Sequence, residues 1–125
     1  MFLERLLRRL DQEIARRIEK VPNLLPTVVG LGPVISAGIL AEIGDIQRFP
    51  GHPQLAAYAG LAWKRSQSGS FAAEDTRLVS VGNRYLRFYC IQGANCLRQH
   101  NPEYRAYYWR KYQETPRHKH KRALV

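Results

Sequence analysis

The sequence predicts a small, mainly α-helical domain with an extended arm or short hairpin near residues 61–79. Proline, glycine and helix-capping residues divide the rest of the chain into helix-sized segments with apolar residues at helical spacing. Residues 61–79 have no such apolar stripe, which indicates an extended arm. A chain of 125 residues can form one modest core, and its hydrophobic fraction of 45% is typical of a folded protein.

The first predicted helix covers residues 2–20 and is amphipathic. We expect Pro22 to stop it. Its apolar stripe has a 4-3-4 spacing and consists of Leu3, Leu7, Leu10, Ile14 and Val21. The stripe is long for so small a domain, so we expect it to pair with another helix, either inside the domain or as the end of a dimerising coiled coil. Residues 1–20 are therefore assigned as a connecting helix and residues 21–125 as the domain itself.

Glycine and proline mark the next three helices. A short helix is predicted from Leu24, and a second one from Pro33 to about Ile43, where Gly44 supplies a C-terminal stop. A third begins near Pro53 and ends at Gly60. A glycine-rich turn therefore lies between the short helix from Leu24 and the helix from Pro33.

That turn reads GLGP, and it predicts contact with phosphate. Glycine can adopt positive φ and bring bare backbone close to another molecule. The free N–H groups of a helix start favour an anion. Both features are typical of a helix-hairpin-helix motif, which holds the phosphates of DNA. Gly30, Leu31 and Gly32 are therefore candidate DNA-binding residues.

Helical patterning returns after the arm. Ser80 is the predicted N-cap of a long helix that ends near His100. The next helix is predicted over residues 102–114. Asn101 caps it, Pro102 suits its first turn, and the acidic Glu103 is favourable near its start. Beyond Pro116, the last residues are expected to begin another helix whose apolar face is barely started.

The positive charge is concentrated in the second half of the chain. The net charge is +10, of which residues 1–62 carry +1 and residues 63–125 carry +9. The basic half also contains most of the tyrosine and tryptophan, a combination typical of nucleic-acid surfaces. The alternative is a solubilising face over a tyrosine-rich core. We favour the nucleic-acid interpretation, because charge of one sign repels itself unless a polyanion offsets it.

Neither a disulfide nor a membrane span is expected. Cys90 and Cys96 lie about 9 Å apart along one predicted helix, which is too far for a disulfide, so a cytoplasmic, nucleoid-associated location is expected. Residues 21–41 are uncharged, but their prolines and glycines make a poor membrane-spanning helix.

Six short motifs in fixed order carry a family resemblance: GLGP, AEIGD, RFP, QLAAYAGL, SG and GNRYLR. Together they resemble the C-terminal transposase domain of the bacterial and archaeal insertion-sequence transposases that have an N-terminal RuvC-like DEDD domain. Those enzymes are recombinases guided by a bridge RNA. The resemblance covers about residues 21–125, truncated at the C-terminus, and residues 1–20 look like the end of the family's connecting coiled coil.

The resemblance implies a mechanism. A serine that precedes a glycine in the arm forms a covalent link with a DNA phosphate, and Ser68 matches that position. From the residues alone, Ser66 and Ser70 remain rivals. Five basic residues are candidates to bind phosphate, two of them in the GNRYLR motif: Lys64, Arg65, Arg77, Arg84 and Arg87.

The remaining expectations concern what the full protein adds. This chain is expected to hold no metal or other cofactor, with Mg²⁺ bound by the N-terminal domain, so the isolated chain should bind DNA without recombining it. Expected partners are DNA, a guide RNA for the full protein, and a second copy of the protein through the N-terminal helix, with no membrane. Two departures from the family pattern, Ser80-Val81 and Glu74-Asp75, stand where basic or glycine residues are usual.

Two other functions remain open. The chain could be a non-catalytic helix-hairpin-helix module or decayed transposase fragment, or an assembly domain. Other candidate groups receive simpler interpretations: Glu42 and Asp45 as capping or ion-pairing residues, and His118 and His120 as phosphate rather than metal ligands.

Overall fold

The computed structural model describes residues 1–63, 78 and 81–125, together with the backbone of 67–68 and 71–72. The mainly α prediction is confirmed. The α-helices within these described residues are α1 (Phe2–Ile18), α2 (Pro33–Ile43), α3 (His52–Tyr58), α4 (Arg84–His100), α5 (Pro102–Glu114) and α6 (Lys119–Leu124). Within this described part, no helix is long and apolar enough to cross a membrane.

Two short strands lie in the predicted arm. Strand β1 (Gln67–Ser68) pairs antiparallel with β2 (Phe71–Ala72), so that Ser68 is opposite Phe71. An isolated bridge between Trp63 and Leu78 adds a second antiparallel contact closer to the base. These pairings agree with the predicted arm or short hairpin.

Helices α2 and α5, which have proline at the start and glycine or asparagine at a boundary, lie where the sequence predicts them. Helix α2 begins at Pro33, and Gly44 ends it with a φ of 67° that suits glycine. Helix α5 begins after Asn101, whose side chain accepts hydrogen bonds from the N–H groups of Glu103 and Tyr104.

Three predicted boundaries are wrong. The segment from Leu24 forms only a 3-10 turn, Leu25–Thr27, because prolines on either side of Leu24 and the glycine turn that follows leave no room for a helical ladder. Helix α1 ends at Ile18, since its last turn tightens into i→i+3 bonds before Pro22. Asn83, not Ser80, caps α4, because Gly82 has a φ of 136° that no helix can contain.

Helices α2 and α4 pack antiparallel and very closely. A Cβ built on Gly93 would lie 2.5 Å from the Leu31 side chain, and one on Gly38 would lie 2.5 Å from the Tyr89 ring. One on Gly30 would lie 2.8 Å from the carbonyl carbon of Cys96 in α4. The start of α2 therefore lies against the end of α4, and the helices can approach this closely only because these positions lack side chains.

The core lies between α2, α3 and α4. Ile39, Ala59 and Leu86 form its buried cluster, and burying a large aliphatic side chain contributes about 1.5–3 kcal/mol. Ser36 is fully buried beside this cluster, and its hydroxyl reaches the Leu31 carbonyl at 3.5 Å. Cys90 packs against the cluster as a free thiol, and burial raises its pKa.

The two terminal helices are attached differently. Helix α1 contacts α2 and buries Ile18, but its first ten residues are exposed, with Leu3 at 69% and Leu7 at 59%. The predicted pairing of α1 with another helix therefore holds inside the domain for its C-terminal end. Helix α6 folds back onto α5 and α4 and buries Ala123.

The GLG turn offers a matched test of this packing. Gly30→Ala should destabilise the chain by roughly 2–6 kcal/mol, because backbone strain at positive φ and overpacking each cost about 1–3 kcal/mol. Gly32→Ala should cost under about 1 kcal/mol, since Gly32 has a φ of −74° and open space around it. Urea denaturation of both variants measures the difference, and equal losses would contradict the packing of Gly30 on α4.

Candidate nucleic-acid interface

The GLG turn at the start of α2 points only partly outward. Gly30 packs on the α4 backbone with a φ of 94°, and Leu31 packs on Gly93. Gly32 is exposed, a Cβ added there would meet nothing within 4 Å, and its carbonyl accepts the Ser36 N–H at 3.0 Å. Of the three candidate residues in this turn, the structure leaves Gly32 facing solvent and uses Gly30 and Leu31 to dock the turn on α4.

The opposite end of the α2–α4 pair is organised by Asn83. Its side-chain oxygen accepts the N–H groups of Tyr85 and Leu86, both at 3.0 Å, and so caps α4. Its amide nitrogen donates to a carboxylate oxygen of Glu42 at 2.7 Å and to the Tyr58 hydroxyl at 3.3 Å. One side chain thus fixes the start of α4 to the end of α2 and to α3.

Tyr58 links this junction to a cation. The Arg48 guanidinium lies 4.8 Å from the centroids of both the Phe49 and Tyr58 rings, and the Tyr58 hydroxyl donates to the Glu42 carbonyl at 3.4 Å. The hydrogen bond from Asn83, and secondarily Arg48, lowers the pKa of Tyr58 because both favour the phenolate. Tyr58 therefore acts in packing and hydrogen bonding at this junction.

The two ends of the arm are pinned together at this junction. The Asn83 N–H donates to the Tyr58 carbonyl at 2.6 Å, and a Cβ on Gly82 would lie 2.6 Å from the Gly60 nitrogen. Gly60 and Gly82 both have positive φ, 69° and 136°. The chain can therefore leave α3 and return to α4 at nearly the same point, which holds the arm that carries Ser68 at this end of the domain.

The two arginines of the GNRYLR motif occupy different positions. Arg84 is exposed, with its guanidinium 5.0 Å from the Tyr85 ring centroid and 3.0 Å from the Tyr85 hydroxyl. Arg87 is half-buried, and its Nη1 lies 2.6 Å from a Cβ built on Gly60. The other candidates of the arm lie outside the described residues: Lys64, Arg65, Ser66, Ser70 and Arg77.

These two ends cannot contact the same phosphate. Helix α2 has 11 residues, which corresponds to about 16 Å of helix. Gly32 lies at its start, whereas Glu42 at its end meets Asn83, one residue before Arg84. The predicted glycine turn and the predicted arginines therefore form two separate contact points.

A third feature, missed from the sequence, is a cleft between α4, α5 and α6. It is an open cleft of about 680 Å³, lined by aromatic and basic side chains together with aliphatic ones such as Leu97 and Leu124. The Arg98 guanidinium lies 4.2 Å from the Tyr108 ring centroid, and that of Arg122 lies 4.4 Å from the Trp63 centroid. The sequence showed the basic and aromatic composition of this region, but not that residues 59 positions apart would converge.

Three of the polar candidates outside the arm, Glu42, Asp45 and His120, have hydrogen-bond partners. Asp45 accepts the Gln47 N–H at 2.9 Å and caps the 3-10 turn Ile46–Arg48, as expected, whereas Glu42 binds Asn83 rather than a surface cation. His120 contacts the Tyr108 hydroxyl at 2.6 Å, and His118 begins α6 with a φ of 51°. In the described ranges, no three His, Cys, Asp or Glu side chains converge in a way that fits a metal ion.

Comparison with known proteins gives one family. The model of the transposase IS116/IS110/IS902 family matches residues 22–109. The chain is 36% identical over 110 residues to a putative transposase, y4rJ, of Sinorhizobium fredii, covering 86% of the chain and 27% of the relative. It is 30% identical over 101 residues to a probable family 20 transposase of Pseudomonas aeruginosa, covering 76% of the chain and 28% of the relative.

A third relative carries a different kind of name. The pilin gene-inverting protein of Moraxella bovis is 33% identical over 84 residues, which covers 62% of the chain and 26% of that protein. The chain thus spans about a quarter of the length of each of these relatives.

Asn83 and Asn101 allow a matched test of the junction, because both cap a helix through two N–H groups. Asn101→Ala should cost about 0.5–2 kcal/mol for the lost cap. Asn83→Ala should cost about 1–2 kcal/mol more, because it also removes the hydrogen bonds to Glu42 and Tyr58. Chemical denaturation measures the free energy of unfolding of both variants. If Asn83→Ala lowers it no more than Asn101→Ala does, the hydrogen bonds of Asn83 to Glu42 and Tyr58 do not stabilise the fold.

Proposed function

Because the chain belongs to the IS116/IS110/IS902 transposase family, we propose that it is the DNA-binding part of a transposase and carries the serine that attacks the DNA. The main support is that residues of three separate sequence motifs meet at one place in the structure. Glu42 of AEIGD, Tyr58 of QLAAYAGL and Asn83 of GNRYLR meet at one junction, where the ends of the Ser68 arm are pinned. Three motifs that are distant in sequence therefore meet at the base of one arm.

The proposed chemistry is phosphoryl transfer to Ser68. Its hydroxyl oxygen bonds to a DNA phosphorus as the bond from phosphorus to one sugar oxygen breaks. The serine loses its proton, the departing sugar oxygen gains one, and the strand is left joined to the protein as a phosphoserine ester. A serine hydroxyl is a weak nucleophile, so positive charge near the phosphate is required. Arg87, which lies against Gly60 at the base of the arm, is the described cation best placed for this role.

Further basic residues would hold the DNA backbone. Arg84 is exposed one residue after the Asn83 cap, and Arg48 is exposed over the Phe49 and Tyr58 rings. Lys64, Arg65 and Arg77 of the arm are proposed for the same role. At the other end of α2, the amides after Gly32 would bind a second phosphate, which limits the proposed hairpin contact to the outward side of the GLG turn.

The rest of the proposed activity requires partners. We propose that Mg²⁺ is bound by another domain of a full-length transposase. A guide RNA is proposed to direct that protein. The exposed leucines at the start of α1 are proposed to pair with the same helix of a second copy, as the end of a coiled coil.

Covalent trapping tests the nucleophile. A full-length transposase containing this sequence, supplied with Mg²⁺, guide RNA and a nicked target duplex, should form a DNA–protein adduct on denaturing gels. Ser68→Ala should abolish the adduct, whereas Ser66→Ala and Ser70→Ala should retain it. An adduct that survives Ser68→Ala and disappears in one of the other variants would move the nucleophile to that serine.

The same experiment decides the alternative function. If no adduct forms with any variant while the protein binds DNA tightly, the chain is a non-catalytic DNA-binding module or a decayed transposase domain.

Salt dependence tests the phosphate contacts of the 125-residue chain. Arg84→Ala should weaken duplex binding and reduce the slope of log K against log salt by about 0.9, the value for one lost phosphate contact. Arg84→Lys should largely restore both. Arg8→Ala, which removes an exposed arginine of α1, is the matched control. Fluorescence anisotropy across a salt series gives the slopes, and identical slopes for Arg84→Ala and Arg8→Ala would exclude Arg84 from the interface.

A further inference from the structure

The cleft between α4, α5 and α6 has a composition that the proposed duplex contacts do not explain. We propose that it binds one unstacked nucleotide of a single-stranded nucleic acid, with the base on its tyrosine rings and the phosphate on its basic rim. This inference rests on the proposed nucleic-acid function and adds to it a second, strand-specific site. Its support comes from the exposed rings, the charge and the size of the cleft.

Partly exposed aromatic rings line the cleft, although Arg122 lies over the Trp63 ring and Arg110 and Lys111 lie over the Tyr107 ring. Tyr104, Tyr107 and Trp63 line it and are 52%, 49% and 39% exposed, respectively. Tyr108 is 4% exposed and forms part of the floor, where its hydroxyl contacts His120 at 2.6 Å and its ring carries the Arg98 guanidinium. A rigid floor with exposed rings beside it matches the stacking platforms of single-strand binders, where each stacked base adds substantially to affinity.

The side-chain charges of the lining favour a phosphate. Arg98, Lys111 and Arg122 line the cleft, against one acidic side chain, Glu114. Lys111 and Glu114 form an exposed ion pair at 2.9 Å, and exposed pairs contribute little to stability, so a phosphate can compete for the lysine. The Arg98 guanidinium is stacked on the Tyr108 ring and donates from Nε to the Asn95 side chain at 2.8 Å, and its terminal amino groups suit phosphate oxygens.

The dimensions favour a nucleotide over a duplex. The volume of about 680 Å³ lies within the range of roughly 300–1,000 Å³ that small-molecule sites occupy. Base faces inside a duplex are covered by their stacked neighbours, so a cleft lined with ring faces can use only a base that has left the stack. Such a base occurs in an opened DNA target and in an RNA loop, and the 2′-hydroxyl distinguishes the two sources.

Fluorescence anisotropy of the 125-residue chain with labelled single strands of about twelve nucleotides tests this site. The probes are oligothymidine, oligouridine and a mixed-sequence duplex. Tyr104→Leu and Tyr107→Leu remove ring faces but keep apolar bulk. Phe88→Leu makes the same kind of change at a 57% exposed aromatic of α4 that does not line the cleft. Circular dichroism checks that each variant keeps its helix content.

Tyr104→Leu and Tyr107→Leu should each weaken single-strand binding by roughly fivefold to a hundredfold, the effect of losing one stacked base. Duplex binding should stay within about twofold in the same variants, and Phe88→Leu should leave both affinities unchanged. A larger loss with oligouridine than with oligothymidine would identify RNA as the ligand, and the reverse would identify DNA.

Two results would overturn the inference, and they have different consequences for the proposed function. If the tyrosine variants bind single strands as well as the parent chain does, the cleft is not the site, and the duplex contacts of the proposed function are unaffected. If the parent chain binds neither single strands nor duplex, both the inference and the proposed function fail.

Discussion

The close approach of α2 and α4 is the constraint on which the rest of the structure depends. Gly30 meets the α4 backbone, Gly38 meets the Tyr89 ring and Gly93 meets Leu31, so side-chain-free positions on both helices fix one antiparallel register. Small buried groups such as Ser36 fit in the remaining space. Because a helix is rigid over this length, the register also decides which side chains gather at each end of the pair.

Each end of the pair then has its own proposed role. At one end, Asn83 joins α2, α3 and α4, and the two ends of the arm meet beside Arg87. At the other end lie the exposed Gly32 and, around the last turns of α4, the cleft that contains Arg98. The scaffold therefore keeps the proposed duplex contacts, the proposed nucleophile arm and the proposed nucleotide cleft apart from one another.

The sequence correctly predicted those helix boundaries that depend only on residues close by in the chain. Helices α2 and α5 were predictable because proline at the start and glycine or asparagine at the boundary restrict the backbone directly. The cap at Asn83 was missed because the positive φ of Gly82, which excludes an earlier start, arises from its contact with Gly60. The GLG pattern indicated bare backbone, but not that Gly30 would face α4 and Gly32 the solvent. The cleft was not predictable either, since it depends on α6 folding back over Trp63.

We propose that one α2–α4 scaffold presents separate nucleic-acid contacts at its two ends. Titrating the ¹⁵N-labelled 125-residue chain with duplex DNA, followed by NMR shifts of each amide, tests it most directly. We predict shifts at Val34 and Ile35, after the exposed Gly32, and at Arg84 and Arg87, with Gly38, which lies in the middle of α2 against the Tyr89 ring, unmoved. Shifts confined to one end, or centred on α1, would contradict the account.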